Sequence, residues 1–161
     1  MRSVIKGRRI VEDGWRHLAD DEELAAGPVI VSLARWQRER ETLVSRAEPV
    51  GVRVPNTADV TGLAEDLPKL AVVALEFPKF ADGRAYSQAR LLRERLNYRG
   101  EIRAVGDVLR DQLFFMARSG FDAFELRADR SLEDALTAFA EFSESYQPAV
   151  DQPQPLYRRL R

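Results

Sequence analysis

Residues 70–126 read LAVVALEF, PKFADG, RAYSQARLLRERLN, YRG, EIRAV, GDVLRDQLFFMARSG and FDAFEL in succession. The first run has no polar residue before Glu76, which is typical of a strand covered on both faces of a parallel sheet. Apolar residues at helical spacing predict a helix over residues 84–96. Further strands are predicted over 101–105 and 121–126, with a second helix between them. This alternation of strands and helices predicts βαβ units with parallel strands.

The pattern extends toward both ends of the chain. It predicts a strand over residues 28–33, a helix over 34–46, a strand over 50–54, a helix capped by Asn56 or Thr57 and stopped by Pro68, and a last helix opened by Ser131. Short β-branched runs and the pair Asp13-Gly14 predict a small hairpin or an edge strand within residues 1–27.

We therefore predict an α/β fold with an open, mostly parallel sheet of about five strands and helices on both faces, flavodoxin-like or Rossmann-like. A partial (βα) barrel is the alternative, because successive βα units give the same sequence pattern in both architectures. A closed eight-stranded barrel typically needs about 250 residues, so the 161 residues of this chain are too few.

Composition limits the class of protein. With 45% hydrophobic and 32% charged residues, we expect one compact domain over residues 1–146, followed by a Pro-rich tail over 147–161. The net charge of −1 gives no electrostatic reason to bind nucleic acid or anionic membranes. The absence of cysteine excludes disulfides, thiol catalysis and Cys-ligated metals. The longest apolar run, 70–75, is too short to span a membrane, and we predict a cytoplasmic location.

Ligands of open parallel sheets bind outside the carboxyl ends of the strands. In this chain that rule selects Ser32, Arg53, Glu76, the loop 78–84, Gly106, Asp107, Glu125 and Arg127. If the topology is as predicted, these positions converge on one edge of the sheet.

The loop before the predicted helix 84–96 is the main candidate for a ligand site. Lys79, Asp82, Gly83 and Arg84 lie where backbone N–H groups and a helix dipole favour an anion, which Arg84 would bind through two hydrogen bonds. Alternatively, Asp82 only caps the helix, Gly83 eases the turn and the two cations are solvated.

Gly106 and Asp107 form a second helix entry on the same edge and complete the predicted ligand-binding set, where Asp107 is expected to act as an N-cap more often than as a base. Other residues are secondary candidates. Desolvation of Glu76 would raise its pKa and suit acid–base chemistry, whereas pairing with Arg84 or Arg90 would make it structural. The secondary set also contains Tyr86, Arg90, Gln112 and Glu125.

The sequence lacks the residues and motifs that several standard catalytic and nucleotide-binding sites require. His17 is the only histidine, in a charged segment, and no nucleophile elbow is visible. The dinucleotide and P-loop glycine motifs are absent as well. Neither a cofactor nor a catalytic residue is therefore identified, and no metal site is predicted.

Residues 77–126 resemble the signature region of a family of bacterial proteins of unknown function that are commonly labelled as oxidoreductases of sulfite reduction. The resemblance is carried by Phe77-Pro78, Phe80, Asp82-Gly83-Arg84, Tyr86-Ser87, Ala89 to Arg95, Gly106 to Leu109, Asp111-Gln112 and Arg118 to Leu126. It implies a role in assimilatory sulfite or sulfate reduction, with sulfite reductase or another sulfur-assimilation enzyme as partner.

Three functions follow as expectations. The first is an accessory protein that binds a small anionic or phosphate-bearing ligand at the edge containing Arg84 and Asp107. The second is a non-catalytic docking or assembly protein that contacts a redox enzyme through Tyr86, Arg90 and the tail. The third is a flavin- or nicotinamide-dependent reductase with a non-standard site.

Overall fold

The computed structural model describes residues 2–78, 83–127 and 131–143, which contain a sheet of eight strands. In chain order the strands are β1 (Ser3–Lys6), β2 (Arg9–Glu12), β3 (Arg16–His17), β4 (Val29–Ser32), β5 (Val50–Val54), β6 (Val72–Phe77), β7 (Glu101–Gly106) and β8 (Ala123–Phe124). The five apolar runs predicted as strands correspond to β4–β8.

The sheet order is β2-β1-β8-β7-β6-β5-β4-β3. Strands β3 to β8 are parallel and follow one another without a reversal, while β1 is antiparallel to both β2 and β8. Right-handed crossovers that advance in one direction place all their helices on the same face. The prediction of about five strands with helices on both faces is therefore wrong, and the curled open sheet resembles the alternative, a partial barrel.

Five α-helices lie in the described residues: α1 (Leu33–Arg38), α2 (Arg40–Val44), α3 (Arg84–Arg90), α4 (Leu113–Ser119) and α5 (Leu132–Ser143). A π-helical segment, Leu91–Arg95, continues α3, so the helix predicted over 84–96 is confirmed. The helix predicted over 34–46 is interrupted at Glu39. Ser131 caps α5 as predicted, because its Oγ accepts a hydrogen bond from the Asp134 N–H.

Two predicted helix starts are wrong. The helix expected after Asn56 or Thr57 is replaced by 3₁₀ segments at Val60–Leu63 and Leu67–Lys69, and the first is capped by Asp59, whose carboxylate accepts from the Thr61 N–H. Asp107 does not cap a helix either. A 3₁₀ segment begins only at Arg110, and α4 follows it.

The main core lies between the helices and one face of the sheet. It contains alternate strand residues, among them Val31, Val52, Leu75 and Ala104, together with helix residues such as Trp36, Ala89, Leu92, Leu113 and Phe139. Alternation along each strand sends the neighbouring residues to the opposite face. There, Ile30, Val72, Ala74 and Val105 form a smaller cluster with Trp15, to which no described helix contributes. We call this second surface the helix-free face.

The N-terminal hairpin turns at Gly7-Arg8 and not at Asp13-Gly14, because β1 and β2 pair from Lys6 to Arg9. Gly7 has a φ of +64°, which favours glycine. Asp13 is instead buried, and its carboxylate accepts hydrogen bonds from Arg2 and Arg103. The pairing of this buried charge outweighs the turn preference of the Asp-Gly sequence. None of the described helices has the length and hydrophobicity that crossing a bilayer requires.

Candidate functional site

The carboxyl ends of four parallel strands bring several of the selected positions to one edge. Ser32 at the end of β4 is paired in register with Arg53 of β5. Phe77 at the end of β6 is paired with Gly106 at the end of β7, and the Asp107 N–H donates to the Phe77 carbonyl at 2.7 Å. Polar side chains from β4, β5 and β6 thus meet along this edge.

A cleft of about 550 Å³ opens between the ends of β4, β5 and β6. It is lined by Asp20, Ser32, Leu33, Ala34, Gln37, Arg53, Pro55 and Glu76. The Ser32 hydroxyl donates to the Asp20 carboxylate at 2.5 Å and accepts from the Arg35 N–H at 3.0 Å. Ser32 therefore both caps α1 and holds Asp20 at the wall of the cleft.

Arg53 connects the cleft to the helix-free face. Its Nε lies 3.4 Å from a Glu76 carboxylate oxygen, and its Nη1 lies 3.2 Å from His17 Nδ1. Because a guanidinium can only donate, Nδ1 of His17 carries a lone pair and the ring hydrogen is on Nε2. That Nε2 lies 2.8 Å from a Glu125 oxygen and donates to it. The contacts thus select one neutral tautomer of His17.

Arg103 lies at the centre of the charges on the helix-free face and is 1% exposed. Its Nη1 lies 3.0 Å from Asp13 and 2.8 Å from Glu125, and its Nε lies 2.7 Å from Glu101. Burial alone would lower the pKa of Arg103, but Glu101, Glu125 and Asp13 outweigh it and raise that pKa. Lys6, 3.2 Å from Glu101, adds a second cation to the cluster.

Glu125 contacts Arg103 directly and is connected to Arg53 through the imidazole of His17. Burial favours its neutral form, but hydrogen bonds from His17 and Arg103 outweigh burial and lower the pKa of Glu125 to about 2. The carboxylate is therefore ionised at neutral pH. A continuous chain of polar contacts therefore runs from the cleft to the buried part of the helix-free face. Its members are, in order, Glu76, Arg53, His17, Glu125 and Arg103.

The main predicted site is only partly described. Lys79 and Asp82 lie outside the described residues. Gly83 precedes α3 and Arg84 is its exposed first residue. Gly106 has a φ of +97°. Asp107, predicted as a cap, instead forms an ion pair with Arg127 at 3.0 Å, since the helix that it was expected to cap begins later.

The secondary candidates have different roles. Glu76 pairs with Arg53 and not with Arg90, which lies 3.8 Å from Glu94. The ring of Tyr86 packs edge-on against Phe77, with centroids 5.4 Å apart, and burial raises its pKa. Gln112 directly precedes α4. Tyr86 thus contributes to the packing of α3 against β6.

The sequence patterns did not select His17, Arg103 or Asp13 as candidate site residues. Arg103 gave a signal, because a cation inside an apolar strand must be paired when the strand is buried. His17 gave none, since its partners lie 36 and 108 residues further along the chain. No group of three or more His, Asp or Glu side chains in the described ranges could hold a metal ion.

Comparison with known proteins gives one family. The model of a family described as bacterial protein of unknown function (DUF934) matches residues 51–157. Because the match covers more than half of the chain, the chain belongs to this family. Searches of the curated proteins and of the solved structures find no match.

Proposed function

We propose that this member of the DUF934 family binds a small anionic or phosphate-bearing ligand at the carboxyl edge of its sheet, as an accessory protein of assimilatory sulfite or sulfate reduction. The observation that carries the binding proposal is the position of Arg53. Its guanidinium lines the cleft and is oriented by Glu76 and His17. A guanidinium held in place by two partners loses little freedom when it binds an oxyanion, so it is well suited to that task.

The acidic wall of the cleft narrows the class of ligand. Asp20 and Glu76 lie on the same surface as Arg53, so a bare polyanion would meet two carboxylates. A small organic molecule that carries one anionic group together with hydroxyl or amino groups fits better, because carboxylates accept hydrogen bonds from those groups. Gln37 adds an amide that both donates and accepts.

The link to sulfite reduction rests on the resemblance of residues 77–126 to proteins carrying that label. The chain has no cysteine and one histidine, which gives it few ligands for a redox metal or cluster. We therefore propose an accessory role beside sulfite reductase or another sulfur-assimilation enzyme in preference to reduction of sulfite by this chain alone.

A docking or assembly role without a ligand remains the alternative proposal. It placed Tyr86 and Arg90 at the contact surface. The packing of Tyr86 against Phe77 gives this alternative less support, because a half-buried ring offers less area to a partner. Arg90 is exposed and remains accessible.

Thermal unfolding in the presence of candidate ligands tests the proposal. Phosphate, sulfate, sulfite, FMN and NADPH are each added at millimolar concentration to the wild type, Arg53→Gln and the control Arg90→Gln. A ligand that binds the native state raises the unfolding midpoint by mass action. We expect an oxyanion or a phosphate-bearing compound to stabilise the wild type and Arg90→Gln but not Arg53→Gln. Unchanged midpoints with every compound would contradict the binding proposal and favour the docking role.

A further inference from the structure

We infer that His17 is the proton acceptor of the cleft, so that an oxyanion bound by Arg53 is taken up together with one proton at Nδ1 of His17. This inference rests on the proposed function and extends it to the protonation state of the ligand. It assigns a binding role to a residue at the far edge of the sheet, in the two-residue strand β3.

The two ring nitrogens of His17 have different kinds of partner. Its Nε2–H donates to Glu125, which in turn accepts from the buried Arg103 at 2.8 Å. These contacts hold the ring in one orientation, as a carboxylate does for many histidines that transfer protons. The partner of Nδ1, in contrast, is the Arg53 side chain, which also lines the cleft.

An anion at Arg53 changes the surroundings of Nδ1. Without a ligand, the guanidinium occupies the Nδ1 lone pair and places a positive charge 3.2 Å away. A bound oxyanion competes for the same N–H groups and offsets that charge. Nδ1 can then bind a proton from solvent or from an acidic O–H of the ligand, and the new N–H can donate to the oxyanion.

The other charged groups near His17 are paired with one another. The groups that contact it or its two partners are Glu125 after β8, Arg53 on β5, Glu76 on β6, Arg103 on β7 and Arg2 before β1, which lies 3.8 Å from Glu125. Arg103 in turn contacts Asp13 after β2 and Glu101 on β7. On its own strand, Arg16 pairs with Glu22 at 2.8 Å. These pairs are mostly self-compensating, so the charge of a bound anion is the main electrostatic change at the ring.

The coupling between anion binding at Arg53 and proton uptake at His17 predicts the class of ligand. Oxyanions whose last proton dissociates near neutral pH, such as phosphate monoesters and hydrogensulfite, can supply the proton themselves. Sulfate has no such proton and must draw it from solvent. Its binding should therefore weaken as the pH rises, by about tenfold per pH unit above the titration midpoint of His17 in the free protein.

Nuclear magnetic resonance can observe His17 directly, because it is the only histidine in the chain. Imidazole nitrogen shifts of untagged, ¹⁵N-labelled protein are recorded over a pH series with and without saturating sulfate. We expect the Nε2–H tautomer without sulfate, and a higher titration midpoint when sulfate is present. Arg53→Gln should abolish the effect of sulfate, while Arg16→Gln, on the same strand as His17, should preserve it.

Calorimetric titration of sulfate supplies the second readout. The affinity of the wild type should fall with rising pH, and that of His17→Gln should be independent of pH. If sulfate binds through Arg53 but neither the His17 signals nor the affinity responds to pH in the expected way, the inference is overturned and the proposed function stands. If neither sulfate, phosphate nor sulfite binds at any pH, the proposed function fails, and the inference fails with it.

Discussion

The guanidinium of Arg103 lies 3.0 Å from the carboxylate of Asp13, ninety residues away in the chain, and both side chains are buried on the helix-free face. This contact joins β7 to the segment after the N-terminal hairpin. Arg103 also donates a hydrogen bond to Glu125, the carboxylate that contacts His17. Disturbing it should affect both stability and the candidate site.

Arg103→Met should destabilise the protein by roughly 3–5 kcal/mol, because it leaves Asp13, Glu101 and Glu125 without their shared cation. Urea denaturation followed by circular dichroism measures the change. The control is Arg90→Met, which removes an exposed pair with Glu94 and should stay within about 0.5 kcal/mol of wild type. Similar small losses for both variants would show that the buried cluster contributes little to stability.

Gly106→Ala should destabilise the protein by about 1–3 kcal/mol, since its φ of +97° is strained for a residue with a side chain. The added Cβ would also lie 2.6 Å from the Phe77 carbonyl oxygen, at the carboxyl edge. Gly62→Ala is the control, because a Cβ there meets no atom within 4 Å and its φ is not positive. Equal stability of the two variants would contradict the geometry of this edge.

The stability of the protein should fall in acid because of Glu125. Its pKa is lowered from 4.5 to about 2 on folding, so its contribution is complete above the unfolded-state pKa and is lost as the pH falls through the folded-state value. In Glu125→Gln, urea denaturation should show lower stability at neutral pH and a smaller decline between about pH 5 and pH 2. Parallel pH profiles of variant and wild type would exclude this role.

Arg84→Ala should weaken anion binding by about 1.5–3 kcal/mol while hardly changing stability, if the loop before α3 contributes to the site. Arg84 is exposed at the start of this helix, which makes a large folding defect unexpected. Calorimetric titration with phosphate and thermal unfolding together separate the two effects. A variant that binds normally would remove Arg84 from the site, and one that unfolds would make it a structural residue.

Local sequence patterns predicted the elements better than their arrangement. The apolar runs of β4 to β8 and the amphipathic α3 are encoded within a few residues, and each element overlaps its predicted range, although β8 is limited to Ala123–Phe124. The order of strands depends on contacts between distant segments, which periodicity does not contain. The two-residue β3 is too short to show a period, and the structure places it next to β4.

The residues of the candidate site were likewise predictable only in part. Ser32, Arg53 and Glu76 could be selected because they end predicted strands, and they line one cleft. His17 could not be selected, because its importance arises only when β3 pairs with β4 and the chain after β8 brings Glu125 to the ring. The charge of Arg103 within an apolar strand was the one local sign of the buried cluster.

Calorimetric titration of sulfate and phosphate into the wild type and Arg53→Gln, slightly below neutral pH, tests the central claim most directly. Arg53 is predicted to be the principal anion-binding group, so its replacement should weaken binding at least about tenfold, which corresponds to about 1.4 kcal/mol. Circular dichroism must first show that the variant is folded. Equal affinity of the two proteins, or no heat of binding to the wild type, would contradict an anion site at the carboxyl edge of the sheet.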